Sequence, residues 1–501
     1  MNYNSIMFNV LSYLQETSEK FPNKIAISCS DVNITFRELK EISSKLGSKI
    51  QTLQKNNPIG VFVNRSINPI VYFLAVLYSS NYFVPIDIDM KLDKIQSIIN
   101  DASFEYILGD LKNKEIVEKL NYNGKYLSLE DAKNAKPILI SNVEDSASAY
   151  MVYTSGSTGK PKGVVKSHKA VASFIETYVS TFNFTSEDVI GNQTPFFFDA
   201  SFKDLFLMLK TGATLEIIPS ELFPMPTSLI EYMNDKKITF ISWVPTALSI
   251  VAQLNPFSFI KPKYLKKVFF VGEVMSTKHL NKWINNLPNI MYVNMYGQSE
   301  LAGICCYYEV GKLYNDSESL PIGKPLNNCK IYLVDKEQII TDINHIGEIY
   351  IVSNALASKY YNDSERTKKS FVYKDFGEGK QRAFKTGDYA KYDKEGNLVF
   401  ASRSDYQIKH MGYRIELGEI EVVANSLNEI NRSCCLYNNE NHKIVLFVEL
   451  NINVSLKDKQ ILSILRNKLS SYMVPNKVII LDKLPINPNG KIDRQKLKEF
   501  L

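Results

Sequence analysis

Residues 153–164 read YTSGSTGKPKGV and follow a short apolar run, Ala149–Val152, that predicts a β-strand. The seven successive residues 154–160 are all Thr, Ser, Gly or Lys. Such a loop offers backbone N–H groups, hydroxyl donors and ammonium groups, which together suit an anion such as a polyphosphate. Because Gly, Ser and Thr are also common in ordinary surface loops, a flexible loop without a ligand stays open at this point.

Length and composition limit the class of protein. The chain has 501 residues, which exceeds the size of an ordinary single core, so two or more domains are expected. With 45% hydrophobic and 22% charged residues, the composition is typical of a globular protein. The net charge is only +6, and no dense Lys/Arg tract is interleaved with aromatic residues. We therefore expect no nucleic-acid partner.

Cysteine spacing and hydropathy argue against a zinc-binding protein, a membrane-spanning protein and a secreted protein. The six cysteines lack the paired spacing of a zinc site, and the five histidines form no cluster with them. No uncharged apolar run reaches the roughly 18 residues of a membrane-spanning helix. The N-terminus lacks the basic and apolar segments of a signal peptide. We therefore expect a cytoplasmic protein without a membrane span.

The order of apolar runs predicts an α/β fold. Short apolar strands alternate with amphipathic helices over about residues 8–320, which is typical of helices layered on parallel strands. Strands expected at 239–243, 268–271 and 291–294 each end at a polar or glycine turn, where parallel sheets collect ligands. Beyond residue 320 strands dominate, and the last 97 or so residues have a pattern of their own. We predict a large α/β domain with a small β-rich subdomain over 1–404, and a smaller mobile α+β domain over 405–501.

Further motifs occur in the order typical of one enzyme superfamily. They are ITFREL (34–39), YFVPID (82–87), FDAS (198–201), NMYGQSE (294–300), GEIYI (347–351), KTGD (385–388), RSDYQIKHMGYRIELGEIE (403–421) and NPNGKIDR (487–494). With the loop at 153–164, they resemble the adenylate-forming superfamily of acyl- and aryl-CoA synthetases, luciferases and nonribosomal peptide synthetase adenylation domains. The likeness covers essentially the whole chain and is greatest to free-standing amino acid adenylation enzymes such as D-alanine–carrier protein ligase.

This resemblance implies ATP and Mg²⁺ and assigns residues to them. Asn294 and Tyr296 would contact adenine, Asp388 would accept the ribose hydroxyls with help from Arg403, and Glu300 would bind Mg²⁺. A buried aspartate also occurs as a cap or ion-pair partner, but the KTGD context favours the ribose role. The remaining nucleotide-binding residues are the phosphate loop Thr154, Ser155, Gly156, Ser157, Thr158, Gly159 and Lys160, and the adenine-segment residues Met295, Gly297, Gln298 and Ser299. Gln298-Ser299 departs from the commoner Pro-Thr of the superfamily.

The same resemblance makes Lys491 the catalytic residue. Its ammonium would contact both the substrate and the nucleotide and offset the charge that builds up at the α-phosphorus. An exposed surface lysine is the simpler alternative. Asp199 would pair with the substrate ammonium, and Lys203 and Gly303 would line the substrate pocket. Because Asp199 and Lys203 are four residues apart on a predicted helix, an i,i+4 ion pair between them remains the alternative.

The motif around Asp405 implies a second step. In the superfamily the small domain turns about this hinge so that a thiol reaches the adenylate. Since the chain ends at Leu501, soon after the lysine motif, we expect a phosphopantetheinylated carrier protein to act in trans. The predicted function is therefore amino acid adenylation followed by transfer to that carrier. An aryl- or fatty-acid–CoA ligase of the same fold is the alternative, and a non-catalytic nucleotide-binding protein is a third.

Overall fold

The computed structural model describes residues 8–154, 161–315, 318–343, 345–403, 407–438, 440–451, 454–486 and 492–501, with the backbone alone for 402 and 403. The chain divides into two compact units. Unit 1 contains residues 1–153 and 163–402, and unit 2 contains residues 154–162 and 403–501. The predicted boundary between 404 and 405 lies outside the described residues and stays a prediction.

Unit 1 contains helices distributed along its whole length. Their bounds are α1 (Leu11–Lys20), α2 (Phe36–Gly47), α3 (Asn68–Tyr78), α4 (Leu92–Ala102), α5 (Lys114–Glu118), α6 (His168–Phe182), α7 (Asp199–Thr211), α8 (Pro226–Asp235), α9 (Pro245–Leu254), α10 (Thr277–Asn286) and α11 (Ser364–Ser370). None of the helices in the described part of the chain is long and apolar enough to cross a membrane.

The strands of unit 1 alternate with these helices until about residue 300, and beyond that residue α11 is the one described α-helix among them. Their bounds are β1 (Ile25–Cys29), β2 (Val32–Thr35), β3 (Pro58–Val63), β4 (Tyr82–Asp87), β5 (Tyr106–Leu108), β6 (Lys125–Leu127), β7 (Ser148–Thr154), β8 (Lys162–Ser167), β9 (Val189–Asn192), β10 (Thr214–Ile217), β11 (Phe240–Trp243), β12 (Lys267–Val271), β13 (Met291–Tyr296), β14 (Cys306–Glu309), β15 (Lys324–Pro325), β16 (Cys329–Asp335), β17 (Gln338–Ile340), β18 (Gly347–Ser353), β19 (Lys359–Tyr360), β20 (Phe371–Asp375), β21 (Lys380–Tyr392) and β22 (Leu398–Arg403).

Within the described residues these strands form three sheets. One has the order β15-β14-β13-β12-β11-β9-β10-β1-β2, and another has the order β19-β8-β7-β4-β3-β5-β6. The central pairs of both are parallel, as in β11 with β12, β12 with β13, and β3 with β4. The third sheet, β17-β16-β18-β21-β20 with β22 beside β21, has antiparallel pairs. The predicted α/β layers and β-rich subdomain are confirmed.

Local sequence explains where key elements begin. The ITFREL motif is a capping box: the Thr35 hydroxyl accepts a hydrogen bond from Glu38 N, while the Glu38 carboxylate accepts one from Thr35 N. Ser167 caps α6 in the same way by accepting from Ala170 N at 3.1 Å. Asp199 begins α7, which places its side chain at the helix N-terminus. Helices α2 and α6 therefore start where a polar side chain satisfies one of their first amides, whereas α7 has no side-chain cap.

Unit 2 is a small α+β structure with its own core. Its elements are β23 (Gln407–His410), β24 (Tyr413–Glu416), α12 (Leu417–Asn425), β25 (Ile430–Asn438), β26 (Lys443–Leu450), α13 (Asp458–Lys468), β27 (Lys477–Ile480) and α14 (Arg494–Leu497). Strand β26 pairs antiparallel with β25 and parallel with β27. Buried apolar residues of α12, α13 and this sheet form one cluster, including Ile420, Leu446 and Leu465. The predicted α+β class of the C-terminal part is confirmed, and its mobility stays a prediction.

Candidate active site

Asp199 is held in place by one of its two carboxylate oxygens. Its Oδ1 accepts a hydrogen bond from Lys166 Nζ and another from the Tyr150 hydroxyl, each at 2.9 Å. Its Oδ2 accepts no hydrogen bond from the described residues, and 13% of the side chain is exposed. The carboxylate therefore offers one oxygen to a ligand while the other is fixed inside the fold.

Lys166 is the counter-ion of this carboxylate and is completely buried. Its ammonium also lies 5.0 Å from the centre of the Tyr150 ring. Burial raises the pKa of Asp199 above its ordinary value, the Lys166 ammonium and the Tyr150 hydroxyl lower it, and the Glu300 carboxylate raises it again. Neither Lys166 nor Tyr150 was predicted as a site residue from the sequence. A lysine that follows the apolar residues Val164–Val165 in a strand needs a buried partner, and that signal would have identified it.

Lys203 pairs with its neighbour in the chain instead of with Asp199. Its buried ammonium contacts Asp204 Oδ1 and lies 5.8 Å from the centre of the Phe240 ring. Asp204 Oδ2 accepts a second hydrogen bond, from Asn192 Nδ2 at 3.1 Å. The i,i+4 pair with Asp199, the alternative left open by the sequence, is not formed among the described residues. A role of Lys203 toward the substrate stays a prediction.

The predicted adenine segment and the predicted ribose residue lie together. Tyr296 donates a hydrogen bond to Asp388 Oδ2 at 2.6 Å, and Gln298 Nε2 donates to the same oxygen. The other side-chain atom of Gln298, Oε1, is buried without a hydrogen-bond partner among the described residues, so it can accept from a ligand. Burial, followed by the nearby Asp388, raises the pKa of Tyr296 far above its ordinary value. Tyr296 is therefore a hydroxyl donor that orients the carboxylate.

Asp388 lies inside β21. The register of β21 with β18 shifts between Glu348 and Tyr350, and Gly387 has a φ of 74°, a conformation that glycine adopts at little cost. The Asp388 amide donates to the Thr386 hydroxyl at 3.0 Å. This irregularity turns Asp388 toward Tyr296, and the KTGD motif is the sequence that allows it.

Two glycines allow close packing around the adenine segment. A Cβ on Gly297 would lie 2.6 Å from Gly303 O and 2.8 Å from Ile304 Cα. A Cβ on Gly303 would lie 2.3 Å from Cζ of Phe174. Asn294, also in this segment, donates from Nδ2 to Pro321 O at 2.7 Å, so that amide supports the loop. Met295 is buried and Ser299 is half-buried.

Glu300 is fully buried, and its Oε1 accepts a hydrogen bond from the Tyr360 hydroxyl at 2.8 Å. The described residues contain no group of three or more His, Cys, Asp or Glu side chains that could hold a metal ion. Mg²⁺ commonly binds one or two protein carboxylates together with substrate phosphates and water. A single buried carboxylate beside the nucleotide segment fits that pattern.

Two predicted motifs meet in unit 2. Arg494, from the NPNGKIDR motif, forms a 2.6 Å ion pair with Glu421, the last residue of the RSDYQIKHMGYRIELGEIE motif. Its guanidinium also donates to Cys435 O at 2.8 Å. Asp493 begins α14 by accepting from the amides of Gln495 and Lys496. The residues that follow Lys491 are thus anchored to the core of their own unit.

Several predicted site residues lie outside the described residues. They are Ser155, Gly156, Ser157, Thr158, Gly159, Lys160, Asp405 and Lys491, and for Arg403 only the backbone is described. Of the phosphate loop, Thr154 is described, and its buried hydroxyl has no hydrogen-bond partner among the described residues. The roles assigned to all of these residues stay predictions.

Family models match most of the chain. Residues 14–361 match the AMP-binding enzyme model, and residues 419–491 match the AMP-binding enzyme C-terminal domain. Tyrocidine synthase 1 of Brevibacillus parabrevis is 31% identical over 492 residues, which is 97% of this chain and 44% of the synthase. The chain thus spans less than half the length of this relative.

Two solved structures have the same fold. One is an NRPS protein containing adenylation and PCP domains, with a TM-score of 0.85 and 22% identity over 99% of this chain and 84% of that one. The other is o-succinylbenzoate CoA synthetase of Bacillus subtilis, with a TM-score of 0.82 and 20% identity over 97% of this chain and 98% of that one. With the family match and the nucleotide segment described above, these similarities lead to one conclusion: the chain belongs to the AMP-binding enzyme family, the adenylate-forming ligases.

Proposed function

We propose that the protein activates an amino acid as an aminoacyl-adenylate and transfers it to the phosphopantetheine thiol of a carrier protein. The observation that carries this proposal is that only one carboxylate oxygen of Asp199 accepts hydrogen bonds from the described residues. One oxygen is fixed by Lys166 and Tyr150, and the other is left to accept a charge-assisted hydrogen bond from a substrate ammonium.

In the first step, a carboxylate oxygen of the amino acid attacks the α-phosphorus of ATP, and the bond to the leaving pyrophosphate breaks. Asp388 would accept the ribose hydroxyls, with its orientation fixed by Tyr296 and Gln298. Lys491 would offset the negative charge that develops on the phosphorus oxygens. The phosphate loop at 154–160 would hold the departing phosphates.

Glu300 would hold Mg²⁺ together with the ATP phosphates. The ion, when bound, neutralises part of the phosphate charge. Tyr360 fixes the Glu300 carboxylate through its hydroxyl. Gly303 would line the proposed substrate pocket, and its lack of a side chain leaves room for the Phe174 ring. The Lys203 ammonium is paired with Asp204, so a contact of Lys203 with the substrate stays a prediction.

In the second step, the thiolate of the carrier attacks the acyl carbonyl, and AMP leaves with the bonding electrons. Similarity to a protein that contains adenylation and PCP domains supports a carrier as the acceptor. Asp405 would be the hinge about which the C-terminal domain turns after the adenylate has formed. Lys491 would then leave the site, and the thiol would reach the adenylate. The sequence resemblance to D-alanine–carrier protein ligases supports a carrier acting in trans.

A second candidate is an acid–CoA ligase whose substrate has no ammonium group. The observation that favours it is Lys166, which already neutralises Asp199 inside the fold. A substrate ammonium would then add an uncompensated positive charge beside a buried lysine, which is unfavourable. The similarity to o-succinylbenzoate CoA synthetase points to the same class.

Exchange of labelled pyrophosphate into ATP separates these candidates. The assay is run with a panel of α-amino acids, their des-amino analogues and aryl and fatty acids. We expect exchange with one or a few amino acids and none with the matched des-amino acid. Exchange with aryl or fatty acids alone would overturn the proposal in favour of the CoA ligase. Acceptor choice is then tested by supplying holo carrier protein or coenzyme A to the loaded enzyme.

A further inference from the structure

A cavity lies in unit 1, and none of the residues that line it is among those assigned to adenylation. Its volume is about 650 Å³, within the range of roughly 300–1,000 Å³ typical of small-molecule pockets. Ser146, two residues before β7, lines it, whereas Thr154 at the other end of this strand begins the phosphate loop. A strand of seven residues is about 23 Å long. Ser146 is therefore at the opposite end of β7 from Thr154.

The charged residues that line this cavity are all cationic. Lys169, Lys330 and Arg382 line it, and no aspartate or glutamate is among its lining residues. The ion-pair partners of the two lysines lie outside the lining: Asp145 is 3.7 Å from Lys169, and Glu378 contacts Lys330. The pair of Lys330 and Glu378 is largely exposed, so solvent screens it and it contributes little. In the other pair, the side chain of Asp145 is 18% exposed and that of Lys169 is 49% exposed. Arg382 is consequently the one charged lining residue without a carboxylate partner among the described residues.

Arg382 is the strongest anion-binding group of the three. One of its terminal nitrogens, Nη2, donates to Ala357 O and to Ser358 O, both at 2.9 Å, and its guanidinium carbon lies 4.4 Å from the centre of the Phe371 ring. These contacts fix the plane of the guanidinium without neutralising it. No carboxylate pairs with Arg382 in the described part of the chain. Fixed, half-buried guanidinium groups are suited to bidentate binding of phosphate.

Neutral polar groups form the remaining wall and are themselves anchored. Ser353 donates from its hydroxyl to Asn328 O at 2.8 Å. Asn328 donates in turn from Nδ2 to Ser173 O at 2.9 Å. Because the wall is held by hydrogen bonds within unit 1, it is formed before a ligand arrives. Preformed sites lose less conformational entropy when they bind.

We propose that this cavity binds a small phosphorylated molecule, at a site separate from that of ATP. Arg382 would contact the phosphate by its guanidinium edge, and Lys169 and Lys330 would attract the anion at the rim. The volume exceeds that of a phosphate group alone, so the ligand class is a phosphate ester or an oligophosphate. This inference does not depend on which acid the enzyme activates.

Calorimetric titration with inorganic tripolyphosphate tests the proposal. The protein is first saturated with Mg²⁺ and a non-hydrolysable ATP analogue, so that the nucleotide site is occupied. We expect one further equivalent to bind, with an affinity that falls as salt is raised. Arg382→Gln should weaken this binding at least tenfold. Lys324→Gln, which removes the same charge from an exposed residue outside the cavity lining, should bind as the unaltered protein does.

A rim variant keeps the test decisive if Arg382→Gln fails to fold. Lys330→Gln leaves the wall contacts intact and should weaken binding about threefold, through loss of one screened charge. A titration with a sugar phosphate shows whether a phosphate ester also binds. Absence of binding to the nucleotide-saturated protein would overturn the proposal. Equal affinity of the unaltered protein, Arg382→Gln and Lys330→Gln would overturn it as well.

Discussion

Two buried lysine–aspartate pairs lie near the start of α7, and they differ in what the aspartate has left to bind. Asp204 uses both oxygens within the protein, one for Lys203 and one for Asn192. Asp199 uses Oδ1 alone, for Lys166 and Tyr150, and keeps Oδ2 without a donor from the described residues. The first pair is saturated and stabilises the fold, whereas the second has one remaining acceptor at a partly exposed position.

The difference shows how a buried ion pair becomes a binding group. Taking two charges out of water is costly unless hydrogen bonds satisfy the remaining lone pairs. The pair of Lys203 and Asp204 meets that condition internally. The pair of Lys166 and Asp199 meets it only when a ligand donor arrives, so part of the cost of burial is recovered on binding. Neighbouring residues of one helix thus serve stability and recognition separately.

The largest expected effect is that of Lys166→Met. It leaves Asp199 buried without its counter-ion, which should lower the free energy of unfolding by about 3–5 kcal/mol. Burial and Glu300 then favour the protonated carboxyl, so amino acid-dependent pyrophosphate exchange at neutral pH should fall by about 100-fold, or ~3 kcal/mol. Chemical denaturation and the exchange assay measure the two effects.

A double variant separates the loss of stability from the loss of exchange. Lys166→Met with Asp199→Asn removes both charges and should regain most of the stability without regaining exchange. If Lys166→Met instead increased amino acid activation, Lys166 would be a competitor of the substrate ammonium, and the acid–CoA ligase candidate would gain support.

Lys203→Met should affect stability and leave recognition nearly intact. The variant removes the counter-ion of Asp204, which keeps its bond from Asn192, so we expect a loss of about 3 kcal/mol at the lower end of the range for broken buried pairs. Because the Lys203 ammonium is committed to Asp204, KM for an alanine-like substrate should change less than about threefold. The ratio of glutamate-like to alanine-like activation is measured alongside, and a large drop in that ratio would place Lys203 in the pocket.

Tyr150→Phe should have an intermediate effect on the pair of Lys166 and Asp199. It removes one hydrogen bond to a buried carboxylate without changing the ring, which should cost about 1–2 kcal/mol. The hydroxyl normally lowers the pKa of Asp199, so the variant raises this pKa. The charged form, which binds an ammonium, then disappears at a higher pH on acidification. KM measured against pH should begin to rise at a higher pH than in the unaltered protein, and an unshifted profile would contradict this assignment.

The smallest effect is expected for Lys210→Met, also in α7. Lys210 pairs with Glu176 at 2.6 Å, with 25% and 51% of the two side chains exposed. Exposed pairs of this kind contribute about 0–1 kcal/mol, so denaturation should detect little change and exchange should be unaffected. If Lys210→Met reduced stability as much as Lys166→Met, burial would not explain why the ion pairs differ in their contribution to stability.

The fold class and the grouping of Tyr296 with Asp388 were predictable because they depend on motifs that are contiguous in the chain. Capping boxes, glycine turns and apolar runs act over a few residues, and each leaves a local pattern. Lys166 and Tyr150 were missed because their partner, Asp199, is more than 30 residues away. Their importance arises only when β7, β8 and α7 pack together. Likewise, the partner of Lys203 was unforeseen, since helix spacing favours Asp199 and tertiary packing selected Asp204.

Gly303 has a consequence for attempts to redesign substrate choice. Any side chain placed there meets the Phe174 ring at 2.3 Å, and that ring is buried against Tyr178 at a centroid distance of 5.2 Å. A library that randomises position 303 alone would therefore yield misfolded or inactive proteins at most codons. Position 174 must be varied with it, so that a smaller residue there makes room. The two residues are 129 positions apart in the sequence but close together in the protein, so they should be mutated together.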